Sequence, residues 1–146
     1  MDVKIRPIEI TDAKDIAKYL FVIANEKSIR EDIKADLKKM EEGLKIRYVA
    51  EVGGKVVGNS QVNINPSPVK HHIAEISGMV VNSDYQGQCI SSKLMSQCIE
   101  WAKRKGCEKA TLGVREGIKA EKVYKHMGFI EYGKLKEGIK EPWGNK

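Results

Sequence analysis

The stretch NSDYQGQCISSKLM, residues 82–95, runs from a loop into a helix, and its chemistry would be that of an anion site. A helix N-terminus offers N–H groups without intrahelical partners and the positive end of the helix dipole. A loop that turns several such groups toward one point makes a nest for a phosphate. Gln86, Gly87, Gln88, Cys89, Ile90, Ser91 and Ser92 can build that nest from backbone alone, so their side chains need only be small or point away. The Ser91 hydroxyl can itself donate. Cys89 is the sensitive position. With a helical φ it costs little, whereas a positive φ there costs about 1 kcal/mol or more. The plain alternative is an ordinary helix start capped near Ser83 or Asp84.

These residues need a scaffold, and the pattern of the chain supplies one. VKIRPIEI (3–10) alternates as a strand. TDAKDIAKYLFVIANEK (11–27) reads as a helix capped by Thr11 or Asp12, with Ile16, Leu20, Ile23 and Ala24 at helical spacing. A second helix follows, with Ser28 as its cap, Glu31 completing a capping box, a stripe of Ile29, Ile33, Leu37 and Met40, and Gly43 at its end. Two strands then flank a Gly53-Gly54 hairpin turn, and IAEISGMVV (73–81) is a further strand. From Ile90 the apolar positions Leu94, Cys98, Ile99 and Ala102 predict a long helix to about Lys105, ended by Gly106. KATLGVRE is a strand, KAEKVYKHMG a short helix and FIEYGKL a last strand. The order β α α β β β α β α β implies an α/β fold of the α+β type: a mixed, mainly antiparallel sheet with helices on both faces.

At 146 residues the chain is expected to form a single domain, residues 1–146, with no disulfide or metal needed to hold it. Its 41% apolar and 32% charged residues are those of a soluble globular protein, and no apolar run approaches the roughly 20 residues of a membrane span. No membrane partner is therefore expected. No apolar signal region opens the chain, and three cysteines, Cys89, Cys98 and Cys107, without a CxxC pair suggest reduced thiols and a cytoplasmic location. The net charge of +6 fits a solvated lysine-rich surface or attraction to an anionic ligand. Nucleic acid is not expected, since aromatics are only 6% and neither an RNA-binding aromatic stripe nor zinc-finger spacing is present. His71 and His72 have no third partner at metal-ligand spacing, so no metal is expected either.

Two motifs in this order of elements resemble those of the GNAT superfamily of acyl-CoA-dependent N-acetyltransferases. The central motif of that family is Gln or Arg, two residues, Gly, one residue, then Gly or Ala, between a strand and a long helix. It falls on Gln86 to Ser91, with Cys89 and Ser91 in the two small positions. The second motif, a helix with Ala, then Tyr, then Gly-Phe, falls on Ala120, Tyr124, Gly128 and Phe129, and Gly117 stands where an asparagine is common. The likeness runs from IRPIEITDA to YKHMGFIEYGKL, nearly the whole chain. It implies the acyl-CoA N-acyltransferase fold and acetyl-CoA as cosubstrate.

The resemblance also implies roles. The nest of residues 86–92 would take the pyrophosphate, and Met79, Val80 and Val81, on a strand that splits from its parallel neighbour, would pair with the pantetheine amides and polarise the thioester carbonyl. Gly117 and Ala120 would line the same cofactor. Tyr124 is the candidate general acid for the departing thiolate, or else a tyrosine packed between helix and sheet. Glu75, eleven residues before Gln86, is the candidate base, or else a strand glutamate facing solvent; His71 and His72 are the next candidates. Lys119, Lys122 and Lys125 are weaker candidates for the CoA 3′-phosphate. A thiol at a helix N-terminus tends to ionise more readily, so Cys89 is expected to be the most oxidisable cysteine and to be shielded by bound CoA.

The leading reading is acetyl transfer to a primary amine of a small molecule. The basic surface suits an acceptor carrying a carboxylate. The family carries two strands after the second-motif helix, and after FIEYGKL the tail KEGIKEPWGNK shows no strand pattern. A longer natural chain, a shift of FIEYGKL into the vacant slot, or a strand lent by a second copy in a homodimer would each account for this. The other readings are a CoA-binding protein without catalysis, on Cys89, Ser91 and Gly117, and a basic interaction module.

Overall fold

The computed structural model describes residues 2–113 together with Lys122, Tyr124, Lys125 and Phe129. The chain divides into two compact units, Met1–Leu112 and Gly113–Lys146. The first unit carries a sheet in the order β1-β2-β3-β4-β5. Its strands are β1 (Val3–Pro7), β2 (Lys45–Val52), β3 (Lys55–Ile64), β4 (Ile73–Val81) and β5 (Lys109–Leu112). The first four pair antiparallel, and β4 pairs β5 in parallel over Ile73–Ile76 opposite Lys109–Leu112. The mixed, mainly antiparallel sheet follows from the connections. Short turns join β2 to β3, whereas β4 reaches β5 only through a helix. Gly53 and Gly54 both take positive φ (57° and 80°), the geometry of a tight hairpin turn whose twist matches its strands.

The helices lie on opposite faces. A first helical segment, α1, spans residues 10–20 and α2 is Glu26–Glu41. Ile8, Ala13 and Ile16 join Ile29 and Ile33 of α2 against Val49 and Val56 on one face. The long helix α3, Ile90–Arg104, covers the other face, where Gly58 lies against Ile90 and Leu94 and the Cys98 thiol donates to Ser60 Oγ at 3.3 Å. A Cβ at Gly58 would lie 3.1 Å from Leu94 Cδ1 and 3.2 Å from Ile90 Cγ2, so this glycine sets how closely α3 approaches β3. Both long helices end in the same way. Gly43 (φ 76°) and Gly106 (φ 81°) donate to Met40 O and Lys103 O, and the residues after them reach back to Lys39 O and Ala102 O.

Two expectations for the first helices need correction. The helix expected over 11–27 stops at Leu20. It is a 3-10 turn (Ile10–Asp12), an α turn (Ala13–Asp15) and a π turn (Ile16–Leu20), closed by Phe21 N–H to Ile16 O at 2.8 Å. Val22 and Ile23 then stand exposed, although Ile23 fits the apolar spacing. The cap of α2 is Asn25, whose side chain accepts from Ser28 N–H at 2.7 Å, and not Ser28. The helix starts a turn earlier than expected, so Ser28 supplies the capped N–H instead of the cap. The expected short helix and last strand after β5 lie outside the described residues, apart from the helical Lys122, Tyr124 and Lys125.

Candidate active site

The expected cofactor residues from Met79 to Ser92 lie where β4 ends and the chain runs into α3. Val80 lies opposite Asn59 and Ser77 opposite Gln61, so Gly78 and Met79 together face the single residue Ser60. This is a β-bulge, and Gly78 takes the positive φ (63°) that it requires. A Cβ at Gly78 would touch Gln61 at 3.3 Å, besides being strained. Beyond the bulge Met79, Val80 and Val81 are half-buried, and the parallel pairing to β5 among the described residues ends before them, at Ile76. Among the described residues, their outer backbone edge is thus left without a ladder partner.

The chain next turns through Ser83–Tyr85. Asn82 anchors that turn: its N–H donates to Val57 O (2.8 Å), its Oδ1 accepts from Asp84 N–H (2.9 Å), and its Nδ2 donates to Tyr19 O in the π turn (2.8 Å). Gln86 is exposed and reaches toward Val81 O at 3.5 Å. Gly87 has φ 83° and open space where a Cβ would stand. Gln88 is half-buried, with a buried Oε1 that has no hydrogen-bond partner. Cys89 is the N-cap of α3 in the left-handed conformation, φ 61° and ψ 21°, and its side chain makes no capping bond. Ile90 is buried beneath it, and Ser91 and Ser92 are half-buried on the first turn.

The plain-cap alternative, with Ser83 or Asp84 at the helix start, therefore does not hold. Asn82 serves the preceding turn, Cys89 stands at the cap, and no side chain there satisfies the first N–H groups of α3. Two left-handed residues, Gly87 and Cys89, bracket Gln88 just before an uncapped helix. Successive N–H groups in such a backbone converge, which is the donor geometry that a phosphate needs. A pyrophosphate fits this loop by its chemistry: the donors are main-chain, space is open over Gly87, and no carboxylate caps the helix.

The acid–base candidates are placed less closely. Glu75 is exposed on β4, across from Asn63 and Thr111. At ~3.3 Å per residue it stands about 13 Å along the strand from Met79. His71 Nδ1 lies 3.1 Å from Asn65 O in an exposed loop, and His72 is half-buried, its carbonyl accepting from Glu108 N–H and Lys109 N–H. Tyr124 belongs to the second unit, where its ring meets Phe129 edge-on with centroids 6.2 Å apart. Lys122 and Lys125 are exposed, and Lys119, Gly117, Ala120 and Gly128 lie outside the described residues. Of the cysteines, Cys89 is exposed, burial pushes the Cys98 thiol up to about 11, and burial also raises Cys107. Among the described residues no three His, Cys, Asp or Glu side chains cluster as a metal site, and no helix is long and apolar enough to cross a membrane.

A buried polar group behind the bulge was not singled out from the sequence. Asp36 on α2 accepts from Lys45 Nζ (2.6 Å) and Arg47 Nη1 (3.0 Å). Arg47 Nε donates to Asn59 Oδ1 (2.8 Å), and Asn59 Nδ2 donates to Gly78 O (2.9 Å). Gln61 Nε2 donates to Ser77 Oγ (3.1 Å) beside them. The faint signal is the polar alternation of Lys45, Arg47, Asn59, Gln61 and Asn63, which reads as a solvent face unless a helix covers it.

The fold has counterparts among solved structures. The model of the acetyltransferase (GNAT) family matches residues 13–129, and the chain belongs to that family. It is 35% identical over 98 residues to an uncharacterized N-acetyltransferase of Methanocaldococcus jannaschii, a match over 65% of this chain and 42% of that protein. The chain thus spans less than half the length of that curated relative. The acetyltransferase of the GNAT family from Streptococcus pneumoniae superposes with a TM-score of 0.80 at 19% identity, over 99% of this chain and 94% of the other. AAC(6')-Iy, in complex with the bisubstrate analogue CoA-S-monomethyl-acetylneamine, gives 0.75 at 17% identity over 92% and 95%. The five-stranded mixed sheet with its helices is the acyltransferase fold of these structures.

Proposed function

We propose that the chain moves the acetyl group of acetyl-CoA to the primary amine of a small molecule, by direct attack of the amine while both substrates are bound. The carrying observation is the junction of β4 and α3. A bulged strand whose outer edge has no ladder partner among the described residues runs into two left-handed residues and an uncapped helix. Backbone N–H groups of residues 86–92 hold the pyrophosphate, with Ser91 and Ser92 beside them. Met79, Val80 and Val81 pair with the pantetheine amides as an added strand would, and the Met79 N–H polarises the thioester carbonyl. Gly117 and Ala120 keep, in this reading, the cofactor-binding role that the family resemblance gives them.

The nitrogen must lose two protons and the departing sulfur must gain one. An amine is protonated near neutral pH, and Glu75 takes the first proton through a chain of waters, since about 13 Å of strand separates it from Met79. The freed nitrogen forms the C–N bond, the C–S bond breaks, Tyr124 gives its proton to the departing sulfur, and the second proton of the nitrogen returns through water to the Tyr124 phenolate. The small-molecule acceptor is supported by the neighbour solved with an acetylneamine-bearing analogue. The single domain over residues 1–146, the cytoplasmic location and assembly as a homodimer are part of the same reading. A non-catalytic CoA binder would use the same loop, and amine-dependent release of CoA thiol separates the two readings.

Calorimetry with acetyl-CoA tests the reading, followed by release of free CoA thiol in the presence of a panel of small primary amines. Micromolar binding and amine-dependent thiol release are expected. Absence of binding would overturn it.

A further inference from the structure

The bulge in β4 is held from behind. A peptide carbonyl turned off its ladder needs another partner, and Gly78 O receives Asn59 Nδ2 at 2.9 Å. Asn59 is only 1% exposed, so its amide has no water to turn to, although Gly78 itself is exposed. The other end of its amide accepts from Arg47 Nε at 2.8 Å. A guanidinium can only donate and a carbonyl can only accept, so the two neighbours allow a single orientation of the amide. Arg47 is held in turn by Asp36, which Lys45 also grips, and all three are buried. A chain of hydrogen bonds, buried as far as Asn59, thus runs from α2 through β2 and β3 to one carbonyl oxygen of β4.

That oxygen shares a rigid plane with another group. Gly78 C=O and Met79 N–H belong to one trans peptide, so they point in opposite directions. Fixing the oxygen toward β3 fixes the N–H away from it, toward the outer edge of β4. Burying two cations on one carboxylate is not in itself a route to stability, and an apolar cluster of like volume is often as good. What the buried group does specify is the direction of one peptide.

We infer that Asn59, backed by Arg47 and Asp36, is a positioning residue that aims the Met79 N–H at the thioester carbonyl. The inference rests on the proposed binding of acetyl-CoA along Met79–Val81. It assigns Asn59 no contact with either substrate.

Asn59→Asp separates this role from simple packing. The carboxylate still accepts from Arg47, but it has no N–H for Gly78 O and turns an oxygen toward it. Calorimetry on the parent and the variant, each with acetyl-CoA and with CoA, reads the effect. CoA lacks the acetyl carbonyl, so its affinity should change little, while acetyl-CoA should weaken by about threefold to tenfold, the worth of one hydrogen bond. With acetyl-CoA carrying a 13C carbonyl, the bound thioester band should move to higher frequency in the variant. Asn59→Ser, which also cannot span both neighbours, gives the same comparison if the aspartate variant does not fold. A folded variant with an unchanged affinity ratio and an unmoved band overturns the inference alone. A parent chain that binds neither ligand overturns the proposed function and the inference with it.

Discussion

Cys89 sits in a conformation that costs it free energy, and replacing it by glycine should recover part of that cost. Its φ of 61° and ψ of 21° lie in the left-handed region. There a side chain is opposed by about 1–2 kcal/mol through contact of Cβ with the following carbonyl. Little offsets the gain. The residue is exposed and makes no capping bond, so its removal forfeits almost no packing. Glycine does add freedom to the unfolded chain, worth about 0.4–1 kcal/mol against the folded state. The net expectation for Cys89→Gly is a gain of about 0.5–1 kcal/mol, or roughly 1–4 °C in Tm for a chain of this size. Urea unfolding followed by far-UV circular dichroism measures it, with Cys89→Ala as the control. Alanine keeps the Cβ and should fall within about 0.5 kcal/mol of the parent. The glycine variant should also bind acetyl-CoA at least as tightly, since the loop already has the backbone that glycine prefers. A glycine variant no more stable than the parent, or an alanine variant that gains as much, would refute this account of the loop.

Other perturbations reach different parts of the structure. Gly58→Val should destabilise by about 1–3 kcal/mol in thermal unfolding, because a Cβ there meets Leu94 and Ile90 at 3.1–3.2 Å, and it should weaken acetyl-CoA binding by shifting the start of α3. Asp36→Ala leaves Lys45 and Arg47 buried without their carboxylate and should cost about 3–5 kcal/mol in urea unfolding. Thiol labelling at pH 8 should modify Cys89 first and Cys107 more slowly. Cys98 should react only on unfolding, as it is buried with its thiol pushed up to about 11, and bound CoA should protect Cys89. The same shift has a sign: the folded state keeps the Cys98 proton that the unfolded chain loses, so stability should fall as pH rises from about 9 to 11, less so in Cys98→Ala. Glu75→Gln should lower kcat by about a hundredfold, while the Kd for acetyl-CoA stays within twofold.

The sheet, its hairpin and the ends of both long helices were legible because single residues decide them. Gly43 and Gly106 stand where only a left-handed residue closes the helix, and Gly53-Gly54 admits one tight turn. The start of α2 was misjudged because Asn25 and Ser28 are both good caps three residues apart, and only the three-dimensional course of the chain selects between them. The end of α1 escaped for a related reason. Ile16, Leu20 and Ile23 keep helical spacing, but the π turn at Ile16–Leu20 breaks the phase, and Ile23 emerges 95% exposed. The loop of residues 86–92 stands out by its place between strand and helix, although at the level of sequence the left-handed state of Cys89 is only a question. The buried group of Asp36, Lys45, Arg47 and Asn59 was hidden, because charged residues alternating along strands carry no mark of the helix that covers them.

Asn82 gives the molecule a mechanical property. Its three hydrogen bonds tie the end of β4 at once to β3, to the turn that opens the loop before α3, and to Tyr19 in the π turn. The loop before α3 and the helical segment on the opposite face of the sheet therefore do not move independently. Any rearrangement that moves Asn82 must either give up a 2.8 Å bond to Tyr19 or drag the π turn along. For such motions residues 16–20 act as a lever arm on the opposite face of the sheet.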